Sequence, residues 1–240
     1  MSDVVLPRTS LCAIVRDEMM NPAGGIMRFL RSVIPHVEKA VIVDTGSIDG
    51  TRDALEDAKR EFSNLYIYDT EFRGYAEARN FSLSKLPTPM ALILDADEII
   101  KQEDYEKIKK GLEYTFKRAG LLKPTFYFGF IDVIEQGEHE GCGHPERIVN
   151  AGSIYSNVQN WKWEYVTNSL SLIPDNLAKI YHFRPEEEAK KDKIKKWYDS
   201  ISIPVSAPSH TPGFSSWKRF NPARNKYKAS DLDVPDKESA

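Results

Sequence analysis

Four short apolar runs recur through the first hundred residues: SLCAIV at 10–15, AVIV at 40–43, LYIY at 65–68 and MALIL at 90–94. Runs of this length, bounded by polar or Gly- and Pro-containing turns, read as buried strands. Between them the apolar residues keep helical spacing. Ile26, Phe29, Leu30 and Val33 precede Pro35, Ala54, Leu55 and Ala58 follow the second run, and a further helix is predicted at 75–83. Strands alternating with helices predict an α/β chain whose central sheet is mostly parallel and flanked by helices. Such sheets bind ligands in the crevice beyond the carboxyl ends of their strands. The loops leaving those ends carry Arg16-Asp17-Glu18, Asp44-Thr45-Gly46 and Asp95-Ala96-Asp97. Three polar loops converge on one edge, and that edge is where a site is expected.

The last loop carries the most specific chemistry. If strand geometry continued past Leu94, the two-residue spacing would put Asp95 and Asp97 on one side. Two hard carboxylate ligands suit Mg2+ or Mn2+, ions that keep positions open for substrate phosphates. The competing reading is a solvated strand end that opens the helix near Glu103. Asp44 leaves its strand where a carboxylate can accept from a ribose hydroxyl or a nucleobase N–H; it can equally begin an Asx-turn. Asp49 reads as the cap of the helix that starts near Thr51. Arg79 is either a neighbour of the ligand or a surface helix residue, and Asn80 reads as a buried hydrogen-bonding group. His182, between Tyr181 and Phe183, is either a satisfied core imidazole or a metal ligand.

The second half changes character. A charged helix is predicted from Glu103 to about Arg118, with Tyr105, Ile108, Leu112 and Phe116 on one face. Strand-like segments at 125–134, 147–149, 154–155, 161–166 and 180–183 predict a smaller mixed or antiparallel acceptor-side sheet. A charged helix is expected at 186–198, and the Pro-, Ser- and Lys-rich residues 204–240 read as a flexible tail or lid. Residues 1–203 are thus one domain, with a ligand-binding half at 10–100 and an acceptor half at 101–203. The 240 residues carry a net charge of −3, which gives no electrostatic case for nucleic acid as a partner. Cys12 and Cys142 form neither a CxxC motif nor a disulfide framework, so a reducing compartment is expected. The N-terminus has no basic-then-apolar pattern and no stretch approaches the length of a bilayer span, so a soluble, cytoplasmic chain is expected.

VIVDTGSIDGT at 41–51, GYAEARN at 74–80 and LILDADE at 92–98 resemble glycosyltransferase family 2, closest to the branch that contains lipopolysaccharide-core glucosyltransferases. The resemblance covers roughly residues 10–200. It implies the GT-A fold, a nucleotide-sugar donor with UDP as the expected base, Mn2+ or Mg2+, and transfer with inversion to a glycan or other hydroxyl acceptor. It implies that Asp44 contacts the base or ribose, with Val15, Arg16 and Glu18 lining the same pocket and Arg79 beside the nucleotide. Asp95 would touch the ribose or the metal, Asp97 would ligate the metal, and His182 would add a metal or diphosphate contact. An acceptor on a lipid would bring the chain to a membrane surface without an amphipathic anchor.

The chain departs from that branch at one place. Where the branch often carries W-x-x-V-H-E-x-L, this sequence has Trp163-Glu164-Tyr165-Val166-Thr167-Asn168-Ser169-Leu170. Asn168 cannot serve as a general base. Glu164 is the first alternative, and His139-Glu140, in the Gly-rich segment EQGEHEGCGHPER at 135–147, is the second. The third is a binding module that holds donor without efficient transfer. Trp161 and Trp163 either stack on an acceptor sugar or pack in the core. His139, Glu140 and His144 lack the second matched pair that a zinc site needs. A nucleotidyltransferase would carry a Gly-rich basic loop after the first strand. A haloacid-dehalogenase-type phosphatase would carry D-x-D-x-T there. Neither pattern is present.

Overall fold

The computed structural model describes residues 4–21, 25–118, 124–134, 137–140, 146–158, 163–166, 170–171 and 178–183. The first half follows the alternation of the sequence: β1 (Thr9–Val15), α1 (Ile26–Val33), β2 (Lys39–Asp44), α2 (Thr51–Ala58), β3 (Leu65–Asp69), α3 (Tyr75–Ser84) and β4 (Met90–Ile93). It continues through β5 (Glu98–Ile100), α4 (Gln102–Arg118), β6 (Pro124–Tyr127), β7 (Gly129–Ile134), β8 (Gly137–Glu140) and β9 (Glu146–Asn150). The last described strands are β10 (Tyr155–Val158), β11 (Trp163–Val166), β12 (Leu170–Ser171) and β13 (Lys179–Phe183).

The main sheet has the order β12-β6-β9-β4-β1-β2-β3. β1 pairs in parallel with β2 on one side and β4 on the other, and β2 pairs in parallel with β3. The winding direction therefore reverses between β1 and β4, which opens a crevice at their carboxyl ends. β9 closes onto β4 antiparallel and carries β6 beyond it. Strands expected to build a separate acceptor sheet thus extend the main one.

Burial explains the apolar runs. Leu11, Cys12, Ala13, Ala40, Val41, Ile42, Ala91 and Leu92 are completely buried, because both faces of the parallel strands are covered. Helix α1 presents Ile26, Phe29, Leu30 and Val33 to the core, and α4 presents Tyr105, Ile108 and Leu112. Pro35 stands in a one-turn 3-10 helix after α1, and His36 from that turn stacks on Tyr105 at 3.8 Å. Cys12 is a free, buried thiol beside Ser82.

The second sheet has the order β5-β13-β7-β8. β13 pairs antiparallel with β5 and parallel with β7, and β7 pairs antiparallel with β8. One face of it holds its own apolar cluster of Ile99, Ile131, Val133, Tyr181 and Phe183. On the other face, Ile100 and Ile180 join the main core.

Three expectations are corrected. The single segment expected at 125–134 is two strands in different sheets, parted at the buried Phe128. The Gly-rich segment holding His139 and Glu140 is not all loop, since 137–140 pair with β7. The acidic stretch after β4 opens a strand, β5, before α4 begins at Gln102. The expected helix at 186–198, residues 204–240, Cys142, His144, Trp161, Thr167 and Asn168 lie outside the described residues. Among the described residues no helix is long and apolar enough to cross a membrane.

Candidate active site

The pocket begins where β1 and β2 end side by side, with Val15 directly opposite Asp44. Asp44 is buried, and its two oxygens do different work. Oδ1 accepts the backbone N–H of Gly46 and of Ser47, each at 2.7 Å. That is an Asx-turn, and it fixes the carboxylate. Oδ2 is buried with no hydrogen-bond partner among the described residues. A buried carboxylate oxygen left unpaired is costly, so this one is suited to accept from a ligand. The two readings of Asp44 left open by the sequence hold together, one oxygen each.

The neighbouring loop is tied to this turn. Arg16 donates from Nη1 to the carbonyl of Thr45 at 2.7 Å, and its guanidinium lies across Gly46. A Cβ on Gly46, which sits at φ 102°, would meet that Nη1 at 3.4 Å. Asp17, at a φ of 52°, accepts from the Ile48 N–H and donates its own N–H to Ser47. Glu18 donates its backbone N–H to Thr51 Oγ1, and its carboxylate accepts from Asn21. The N-cap of α2 is Gly50 and not the expected Asp49, which stands one residue earlier and accepts from the Thr51 N–H and also from the Met20 N–H. Asp17 and Thr51 were not singled out in the sequence, and they lace the β1 and β2 loops together.

Arg79 is not a surface residue. It is 1% exposed on α3, donates to the Cys12 carbonyl at 3.3 Å, and pairs with Asp95 Oδ1 at 2.8 Å. Asn80 exchanges two hydrogen bonds with the backbone of Tyr155, which clamps β10 to the same helix. Against the partial desolvation of its carboxyl, the charges of Arg79 and Arg147 hold Asp95 below the usual carboxylate range.

The strand geometry expected to align Asp95 with Asp97 does not continue. The chain turns at 95–98, the Glu98 N–H donating to the Asp95 carbonyl at 3.0 Å. Glu98 Oε2 accepts the Asp95 N–H, and Glu98 Oε1 accepts from Arg147 at 2.6 Å. Burial pushes the Glu98 carboxyl up to about 7 although Arg147 opposes it. The turn sends the two aspartates to different partners. Asp95, whose side chain is 47% exposed, faces Arg79, while Asp97 faces β13. There the Asp97 carbonyl accepts the Phe183 N–H, and Asp97 Oδ2 lies 3.5 Å from His182 Nε2. On the far side of the ring, Nδ1 lies 3.3 Å from Asp132 Oδ1. Burial works against the charged imidazole, yet Asp132 and Asp97 raise it to about 10.

Asp97 and His182 converge, and the His182 charge reaches the half-exposed Asp95. Among the described residues no three His, Cys, Asp or Glu side chains close a complete metal-ligand set. One carboxylate and one imidazole fit a cation that takes its remaining ligands from a diphosphate and water. Glu164 is on β11 opposite Asn157, in the hairpin that packs on α3, and its side chain is outside what is described. His139 is paired across β7 with Asp132 and is not part of the Asp44 pocket.

A parallel sheet with its ligand crevice at the β1/β4 reversal, acidic loops at each strand end and a further mixed sheet define a nucleotide-sugar-transferase type of fold. The sequence matches Glycosyl transferase family 2 over residues 20–179, and the chain belongs to that family. It is similar to the putative teichuronic acid biosynthesis glycosyltransferase TuaG of Bacillus subtilis, 34% identical over 94 residues, which are 39% of this chain and 36% of that protein. It is also similar to a TPR repeat-containing protein of Synechococcus elongatus, 31% identical over 108 residues, 45% of this chain and 25% of that protein. The matches span about a third of the first relative and a quarter of the second. Among solved structures, the mannosyltransferase PcManGT from Pyrobaculum calidifontis, in complex with GDP-Man and Mn2+, has a TM-score of 0.51 at 14% identity, over 87% of this chain and 68% of that one. S. aureus TarS has a TM-score of 0.51 at 13% identity, over 83% and 40%. At such identities the likeness shows the fold, which is GT-A-like.

Proposed function

We propose that this chain is a metal-dependent glycosyltransferase that moves a sugar from a nucleotide diphosphate donor, with UDP as the base, to a glycan or other hydroxyl acceptor with inversion. The observation that carries the donor site is Asp44 Oδ2, buried and without a hydrogen-bond partner among the described residues, beside Val15 and Arg16. An imide N–H or a ribose hydroxyl would satisfy it. Arg79 holds Asp95 at the ribose side, and Glu18 supports the loop that lines the pocket. Asp97 and His182, with the half-exposed Asp95, would hold Mn2+ or Mg2+. A divalent cation there supplies charge that offsets the diphosphate as it departs.

The acceptor half, residues 101–203, would bring a hydroxyl to the anomeric carbon, and Glu164 would take its proton. The acceptor is assigned to surface glycans or glycoconjugates, the class handled by the lipopolysaccharide-core branch. A lipid-linked acceptor would make the encounter peripheral to a membrane. A buried thiol at Cys12, outside any disulfide, suits a cytoplasmic setting. A second reading, a nucleotide-sugar or glycan-binding module without efficient transfer, is favoured by Asn168 where the branch carries a carboxylate.

Calorimetric titration with UDP, GDP, dTDP and CMP, with Mn2+ and with chelator, tests the donor site. Asp97→Ala is expected to abolish the Mn2+-dependent part of UDP affinity; unchanged affinity would remove the metal assignment. Glu164→Gln is expected to leave donor binding intact and lower turnover by roughly 10²–10⁴-fold. Full turnover in that variant would strike Glu164 from the mechanism, and no turnover with intact binding in the parent chain would favour the binding module.

A further inference from the structure

The His182 ring lies between two carboxylates, Asp97 on the Nε2 side and Asp132 on the Nδ1 side. We propose that Asp132 is the positioning residue of this imidazole: its carboxylate takes the Nδ1–H hydrogen bond and so turns the Nε2 lone pair toward the cation that Asp97 faces. The inference rests on the metal-dependent reading of the site.

The register of the second sheet supplies the geometry. His182 is directly opposite Glu98 on β5 and directly opposite Asp132 on β7, and Asp132 is directly opposite His139 on β8. Residues directly opposite in a sheet share a face, so Glu98, His182, Asp132 and His139 form one row across four strands. The same face is apolar one step away along the strands, where Ile100 and Ile180 join the core. The polar row is therefore the edge at which that core gives way to the crevice.

Around the His182 ring, exposure falls from Asp97 to Asp132. The side chains of Asp97 and His182 are 24% and 20% exposed, and that of Asp132 is 7% exposed. The ring thus has one carboxylate on its open side, 3.5 Å from Nε2, and one on its closed side, 3.3 Å from Nδ1. An ionised carboxylate only accepts hydrogen bonds, so Asp132 specifies a proton on Nδ1. Asp97 faces Nε2 in the same way, so the proton on that nitrogen is the one a cation would displace, leaving the neutral ring with its lone pair on Nε2 and its proton on Nδ1. A carboxylate behind the distal nitrogen is the usual way a protein orients a ligating imidazole and raises its basicity. An asparagine at 132 has nearly the same shape, but its amide can donate to Nδ1 and favour the opposite tautomer.

The test uses the full chain. Mn2+ binding in the presence of UDP is followed by the electron paramagnetic resonance of the free ion, for the parent chain, Asp132→Asn and Asp97→Ala. Asp132→Asn is expected to weaken Mn2+ affinity by roughly 10–100-fold while Asp97→Ala removes it. Unchanged affinity in Asp132→Asn beside a loss in Asp97→Ala overturns the positioning role alone. Unchanged affinity in both variants overturns the metal site and this inference with it. Should Asp132→Asn not fold, the parent chain still decides. Nitrogen-15 NMR of His182 with Mg2+ and UDP is expected to show the Nδ1–H tautomer. An Nε2–H tautomer, or a ring protonated at both nitrogens, overturns the proposal.

Discussion

The two sheets hold their polar residues by different means. In the parallel half the acidic groups after β2 are fixed largely within their own loop: Asp44 by the N–H groups of Gly46 and Ser47, two and three residues on, and Asp49 by Thr51. In the second sheet the groups are fixed by strands far apart in sequence. His182 answers to Asp132 and Glu98, and Glu98 answers to Arg147 from the main sheet. A loop that folds on itself can be altered with local consequences. A row assembled from separate strands transmits a change to every strand that contributes to it.

Arg147→Met should break that contrast most severely. It removes the partner of a buried Glu98 and also the 3.4 Å hydrogen bond to the Ile93 carbonyl. Breaking a buried pair by deleting one member costs about 3–5 kcal/mol. Because burial already pushes Glu98 up to about 7, it can take up a proton, and the loss should fall near the lower figure. Chemical denaturation checks this, and a cost below about 1 kcal/mol would mean that the pair behaves like a surface one.

Asp44→Asn sharpens the other side. The remaining carbonyl oxygen still accepts both turn N–H groups, while an NH2 replaces the unpaired Oδ2. UDP affinity should fall about 10–100-fold, the equivalent of about 1.4–2.8 kcal/mol, with the melting temperature nearly unchanged. A large fall in melting temperature would show that Oδ2 serves the fold and not a ligand.

Arg52→Ala gives the smallest effect. Its guanidinium bridges Asp69 and Glu56, but the side chains are 31%, 64% and 47% exposed. Exposed pairs contribute about 0–1 kcal/mol. A loss larger than that would show that this corner of α2 and β3 carries more of the fold than its exposure suggests.

The same contrast governs what could be read from the sequence. The strands of the parallel half, and the positions of Asp44 and Asp95 at their ends, were legible because apolar period and turn chemistry are local signals, whereas the burial of Arg79 on α3 was not. Asp17 and Thr51 escaped because their partners lie about 30 residues away. Glu98, Asp132 and Arg147 escaped for the same reason at greater range. Asp132 did leave one trace, a single carboxylate inside GFIDVI, where an apolar strand requires that a buried charge be paired. The alignment of Asp95 with Asp97 was misread because the strand was assumed to run on. The hydrogen bond from the Glu98 N–H to the Asp95 carbonyl ends it.

That turn is also the only stretch of chain between β4 of the main sheet and β5 of the second. Asp95 is pinned to α3 through Arg79, Asp97 to β13 through Phe183, and one residue separates them. Two residues two positions apart are thus tied to different sheets, and the turn between them is a seam of the fold. A donor seated there would touch, with one diphosphate, the ends of both.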